Sequence, residues 1–145
     1  MIEVRPATLD DIPKCAEAGR RFYEFSPYTG VPYDEDSMRD LMESMIDQKM
    51  LIVAFNDGAV IGGIGGNLAP IFFNKKYTMA YEMFWWVDPE HRGKLGLKLL
   101  STFESTALEL GCSYLMMMTL AKNEVGALYE RLGFSQSETG YIKRL

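Results

Sequence analysis

The densest chemistry in the chain lies in WWVDPEHRGKLGLKLLSTFE, residues 85–104. An apolar run closes at Val87 and a proline turn follows. Arg92, Gly93, Lys94, Gly96 and Lys98 then come in quick succession before an apolar helical pattern takes over. A helix N-terminus exposes unpaired N–H groups and the positive end of the helix dipole, so it attracts anions. Glycine lets backbone approach a ligand closely because no Cβ intervenes. The junction therefore reads as a turn able to hold a pyrophosphate, with a solvated structural turn as the alternative. It matches neither G-x-x-x-x-G-K-[ST] nor G-x-G-x-x-G. A second glycine cluster, GGIGGN at 62–67, has no helix after it. It reads as a bulge or a close approach of two backbones.

Glu82 sits inside the apolar run MAYEMFWWV, five residues before Val87. Burial there disfavours the charged carboxylate, raises its pKa and makes it a stronger base. Alternation puts Glu82, Phe84 and Trp86 on one face unless a bulge intervenes. A solvent-facing glutamate is the alternative. His91, the single histidine, reads as a surface residue in the turn beside Arg92. Asp88 and Glu90 shape the same turn, because their charge opposes direct contact with a phosphate.

Composition narrows the function classes. The 145 residues suit one domain, expected over 1–145, with enough length to bury a core. A net charge of −5 argues against nucleic acid as a partner and suits a cationic one such as an amine. The apolar runs fall short of the ~18 residues that a membrane span needs, and MIEVRPATLDD does not read as a secretory signal. Cys15, Cys112 and one histidine lack metal-ligand spacing, so we expect no metal, two free thiols and a cytoplasmic setting.

The elements that must position these residues follow from periodicity. IEVRPAT alternates as a strand; Thr8 or Asp10 offers a cap, with Pro13 tolerated in the first turn of a helix reaching about Tyr23. EFSPYTGVPYDED is a loop. Met38, Leu41, Met42, Met45 and Ile46 mark a second helix. MLIVAF, the turn signal NDG and AVIGGIGGNL form a hairpin. APIFFNKKYT is ambiguous, and MAYEMFWWV is a long strand. A helix from about Lys94 to Leu110 turns Leu97, Leu100, Phe103 and Ala107 inward. SYLMMMTL is a strand, NEVGALYERLGF a short helix ended by Gly133, and SETGYIKRL a final strand or hairpin remnant. The ten methionines read as adaptable core packing.

Three segments, in order, resemble the GNAT superfamily of N-acetyltransferases. IEVRPATLDDIPKCAEA resembles its opening strand and helix. VDPEHRGKLGLKLL resembles the acetyl-CoA signature V-x-P-x-x-R-G-x-G-x-G-x-x-L-L. NEVGALYERLGF resembles N-x-x-A-x-x-L-Y-x-x-x-G-F. The signature departs from the family form: Leu95 and Leu97 stand three and five residues after Arg92, where glycines are usual, and Gly96 lies between them. The segment is also one residue short, and Asn123 lies six residues before Tyr129 where seven is common.

The resemblance implies one α/β (α+β) domain with a mixed, mostly antiparallel sheet of about six to seven strands flanked by about four helices. It implies acetyl transfer from acetyl-CoA to an amine of a small molecule or protein, by direct attack and without a metal. Glu82 is the implied base, directly or through water, and Tyr129 the acid beside the thioester sulfur. Trp86, Val87 and Asn123 hold the pantetheine arm; Arg92, Gly93, Lys94, Leu95, Gly96 and Leu97 hold the pyrophosphate. Tyr28, Tyr33, Phe72 and Phe73 wall the acceptor pocket, with simple core cover as the alternative. Family members commonly pair as homodimers. A non-catalytic acyl-CoA-binding module and an unrelated partner-binding α/β domain are the competing classes.

Overall fold

β1 (Ile2–Pro6) lies antiparallel beside β2 (Leu51–Asn56), which pairs with β3 (Ala59–Ile71), which pairs with β4 (Asn74–Val87). β5 (Tyr114–Met116) joins the far edge parallel to β4, giving the order β1-β2-β3-β4-β5. The computed structural model describes residues 1–121 and 124–145. Helices α1 (Ile12–Tyr23) and α2 (Glu35–Asp47) cover one face of the sheet. Helices α3 (Lys94–Glu109) and α4 (Gly126–Arg131) cover the other. Antiparallel neighbours need only tight turns, whereas the parallel β4–β5 pair needs a crossover, which α3 supplies.

The helices start where the sequence provides acceptors. Thr8 precedes a single 3-10 turn at Leu9–Asp11, and the Asp11 carboxylate accepts from the Thr8 N–H at 2.8 Å. The Arg5 guanidinium grips Asp11 with two bonds of 2.7 and 3.0 Å, which holds that carboxyl down at about pKa 2. α1 therefore begins after Asp11, and Asp10 is not its cap. Asp34 caps α2 through the Ser37 N–H at 3.0 Å. The α2 stripe buries Met42 and Met45 on Leu51, Val53 and Phe55. Through α3 the inward stripe is Leu95, Leu99, Phe103 and Ala107, with Leu100 beside it. Leu97 points away and is 42% exposed, contrary to expectation. At 100° per residue, it lies about 200° round the helix from Leu95.

Among the described residues the sheet holds five strands rather than six or seven. APIFFNKKYT is not a separate element: it is the far end of the β3–β4 hairpin, turning at Phe72 and Phe73. The expected strand over SYLMMMTL shortens to three residues. SETGYIKRL forms no strand. Alternation marks a segment that could lie in a sheet, but a strand exists only where a neighbour accepts its backbone groups.

The run GGIGGN lies in β3, where β4 closes tightly on it. A Cβ on Gly66 would stand 2.0 Å from the Tyr81 carbonyl oxygen, and one on Gly65 would strike the Phe84 ring at 2.7 Å. Gly65 pairs with Phe84 and Gly66 with Glu82, so Met83 is an extra residue on β4. The glycines accommodate a β-bulge.

Candidate active site

That bulge decides where Glu82 points. Ala80, Trp85 and Val87 pack on the α3–α4 face, while Phe84 packs on the α1–α2 face. One inserted residue reverses the alternation, so Glu82 does not share a face with Phe84 and Trp86. It shares the face of Ala80 and is 8% exposed. Burial pushes its carboxyl up to about 7, opposed by one hydrogen bond from the Met118 N–H at 2.9 Å. Such a group is poised to take and release a proton near neutrality.

Tyr129 approaches the same residue from the other side. Its hydroxyl donates to the Met118 carbonyl at 2.7 Å. The end of α4 orients it. Gly133 takes φ +90°, its N–H donates to Glu130 O at 3.1 Å, and the Phe134 N–H donates to Tyr129 O at 2.9 Å. This is a Schellman termination, and its usual apolar contact is the Phe134 ring against Tyr129 at 5.5 Å. Trp85 stacks on Tyr129 from the sheet side at 6.0 Å. Burial first, and the charge of Glu82 second, push the Tyr129 hydroxyl well above its usual range, so it keeps its proton.

Met118 stands where two strands part. The β4–β5 ladder ends at Tyr81 opposite Met116. β4 continues to Val87, carrying the chain to the start of α3. Gly93 precedes that helix with φ +108°, and no side chain caps it. The Gly96 and Leu97 N–H groups donate to Gly93 O at 3.1 and 3.4 Å. The first helical amides, of Lys94 and Leu95, are thus the ones directed outward. The Leu95 side chain itself is buried in the core, and Gly96 rests on the Trp85 ring. Two buried nitrogens near this end, Trp85 Nε1 and His91 Nδ1, have no partner among the described residues. Open amides, a glycine turn, two lysines and unpaired buried nitrogens fit a phosphate-bearing ligand such as CoA.

Arg92 Nε donates to Val87 O at 3.2 Å, and its guanidinium lies over Trp86, 5.0 Å from the ring centroid. Asp88 turns inward. It accepts from Arg21 Nε at 2.9 Å and Nη2 at 3.1 Å, and from Trp86 Nε1 at 3.0 Å. These bonds clamp α1 to the turn before α3. Nothing in the sequence announces the pair, since Arg21 and Asp88 are 67 residues apart.

A cavity of about 660 Å³ opens on the α1–α2 side of this strand end. Phe22, Phe25, Phe84 and Trp86 line it, together with Met83 and Met118–Ala121 at the parting of the strands. Tyr28 and Tyr33 also line it. Phe72 and Phe73 do not: they stack on each other at the hairpin turn, each 85% exposed. Asn123 lies outside the described residues. Met118, Phe22 near the end of α1 and Phe25 in the turn beyond it were not singled out in the sequence. The one signal for Phe22 is its helical spacing with Ile12, Cys15, Ala16 and Gly19. Among the described residues, no cluster could hold a metal and no helix is long and apolar enough to cross a membrane.

The sequence model of the acetyltransferase (GNAT) family matches residues 18–134. Comparison with curated proteins gives no match. Solved structures share the fold. A ribosomal-protein-alanine N-acetyltransferase from Brucella melitensis biovar Abortus 2308 superposes with a TM-score of 0.77, 18% identity and 99% coverage of both chains. An aminoglycoside acetyltransferase from an uncultured soil metagenomic sample, in complex with sisomicin, gives 0.76 and 16%, covering 99% of this chain and 96% of that one. A predicted acetyltransferase from Clostridium acetobutylicum, with acetyl-CoA, gives 0.73 and 15%, with 99% and 96% coverage. The chain belongs to the acetyltransferase (GNAT) family and is an acyltransferase.

Proposed function

We propose that this enzyme transfers an acetyl group from acetyl-CoA to the nitrogen of an amine, and that residues 1–145 form a single domain for the purpose. The observation that carries the reading is the meeting of Glu82 and Tyr129 on Met118, where β4 and β5 part. Acetyl-CoA, when bound, supplies the acyl group as an activated thioester. The Lys94 and Leu95 amides, the turn at Gly93 and the charges of Arg92, Lys94 and Lys98 hold its pyrophosphate. Gly96 lies beside Trp85 in the first turn of α3, and Leu97 contributes to the helix rather than through its side chain. Backbone of Trp86 and Val87, with Asn123 by its place in the late motif, receives the pantetheine arm.

An alkylamine with a pKa of about 10.4 is mostly protonated at neutral pH and must lose a proton before it attacks. Glu82 accepts that proton through water at the strand edge beside Met118, because its carboxylate lies on the opposite face from the cavity wall of Phe84 and Trp86. The new N–C bond forms as the thioester C–S bond breaks; the nitrogen releases its second proton to water and sulfur leaves as a thiolate. Tyr129 turns its hydroxyl from Met118 O toward the sulfur. Its raised pKa makes it a hydrogen-bond donor that stabilises the thiolate, which completes its protonation from solvent. The free thiols Cys15 and Cys112 fit a reducing, cytoplasmic setting.

The test is calorimetric titration with acetyl-CoA, followed by an amine screen read by release of the CoA thiol. Binding on the order of micromolar, with turnover, is expected. No binding at millimolar acetyl-CoA overturns the reading.

A further inference from the structure

We infer that the acceptor is a monoamine carried on an apolar body, and not a polyamine, aminoglycoside or phosphorylated sugar. The inference rests on the acetyl-transfer reading above and names its second substrate. The cavity on the α1–α2 side meets the parting of the strands at Met118, so an amine seated in it reaches the same residue that Glu82 and Tyr129 hold. Among the described residues that line it, none is Asp, Glu, Lys or Arg.

Three of the polar groups on the cavity walls are already engaged within the protein, while Tyr28 and Tyr141 are largely exposed. The Tyr33 hydroxyl donates to Ala16 O, the Tyr23 hydroxyl to Val31 O, and Trp86 Nε1 to Asp88 at 3.0 Å. Most of the remaining wall is apolar, and much of it is ring surface. Phe25 packs on Trp86 at 4.8 Å, Phe22 on Trp86 at 6.0 Å and on Phe84 at 5.8 Å.

Burying an ammonium without a paired charge is strongly unfavourable even after relaxation. A polycation brings several such groups into a site with no carboxylate on its described walls. A phosphate brings a dianion to a site without a cation on them. A monoamine brings one charge, and that charge must be lost before attack. Its apolar body is favoured by the removal of its surface from water. The volume of about 660 Å³ lies within the usual range for small-molecule sites.

The reaction is balanced with these reactants. The amine loses a proton and gains the acetyl group, forming one N–C bond while one C–S bond breaks. CoA leaves as the free thiol.

The experiment is thiol release from acetyl-CoA with 2-phenylethylamine, spermidine, kanamycin and glucosamine-6-phosphate, alongside calorimetry of acetyl-CoA alone. We expect kcat/KM for 2-phenylethylamine to exceed each of the others by roughly 100-fold or more, which corresponds to about 2.7 kcal/mol of discrimination. The variant Tyr28→Glu places a carboxylate at the cavity mouth on a loop residue that is 59% exposed. It should lower the ratio of 2-phenylethylamine to spermidine by about tenfold without unfolding the chain. If acetyl-CoA binds and spermidine, kanamycin or the sugar phosphate is acetylated as well as 2-phenylethylamine, the acceptor assignment falls while acetyl transfer stands. If hexanoyl-CoA is preferred over acetyl-CoA with no discrimination among amines, the cavity belongs to the acyl chain and the assignment also falls. If acetyl-CoA does not bind, both readings fall together.

Discussion

Glu82 and Tyr129 hold opposite ends of one residue: Glu82 Oε2 accepts from the Met118 N–H at 2.9 Å, and the Tyr129 hydroxyl donates to the Met118 carbonyl at 2.7 Å. A carboxylate from β4 and a phenol from α4 thereby fix the strand edge at the point where β4 and β5 separate. The two groups share a partner, so their substitutions should not be additive.

Tyr129→Phe should lower kcat by about 10- to 100-fold while leaving acetyl-CoA affinity near its original value, because in the proposed mechanism the hydroxyl donates to the leaving sulfur. Loss of its bond to Met118 should cost about 1 kcal/mol of stability. Steady-state kinetics and calorimetry on the same preparation separate the two effects. An equal loss of kcat and of affinity would sink the role of Tyr129.

The Glu82 carboxyl stands at about 7 in the fold against an ordinary 4.5. In its proposed role as base it acts only when ionised, so kcat/KM should rise with pH through about 7 and level off above. Glu82→Gln, which keeps an acceptor for the Met118 N–H, should abolish that limb. Stability moves the opposite way. Between 4.5 and 7 the folded state holds a proton that the unfolded state has released, so stability is full below 4.5 and falls as pH rises through 7. Glu82→Gln should therefore melt higher than the parent at pH 8 and close to it at pH 4.5. A pH-independent difference would refute the burial of an ionisable carboxyl.

Gly93→Ala tests the turn before α3. Open space surrounds a Cβ there, so the penalty comes from φ +108° alone. A non-glycine residue held there costs about 1–3 kcal/mol or shifts the first turn of the helix. CoA affinity should fall severalfold even where the fold survives. Calorimetric titration at fixed temperature reads the change, and unaltered affinity would remove this turn from the cofactor site.

Arg92→Ala removes a guanidinium that lies over Trp86 and bonds Val87 O. CoA binding should weaken about tenfold at low salt, and by less at 0.5 M NaCl, where screening already mutes the charge. A loss that does not depend on salt would assign Arg92 to packing rather than to phosphate.

Gly66→Ala should be the most disruptive small substitution in the sheet. The added methyl would meet Tyr81 O at 2.0 Å, and backbone cannot swing aside as a side chain does. We expect at least about 2 kcal/mol of destabilisation in urea unfolding, with activity falling as the bulge shifts Glu82. Parental stability would show that the bulge does not depend on glycine at this position.

The sequence by itself determined the elements whose cause is local. The α2 apolar stripe, the extent of α3, the NDG hairpin, the junction at Arg92–Gly96 and the glycine stop of α4 depend on periodicity and backbone conformation, which act over a few residues. Glu82 and Tyr129 were legible as candidates because an acid in an apolar run and a tyrosine in a recognisable motif are local facts. Their meeting was not. It depends on the Met83 bulge, which reverses the face of β4, and on the parallel pairing that brings Met118 beside it. The Arg21–Asp88 clamp, the exposure of Phe72 and Phe73, the missing last strand and the uncharged described walls of the cavity likewise arise from contacts between distant segments. A strand pattern records which residues alternate. Only packing decides which neighbour pairs, where the extra residue bulges, and which face is left to bind.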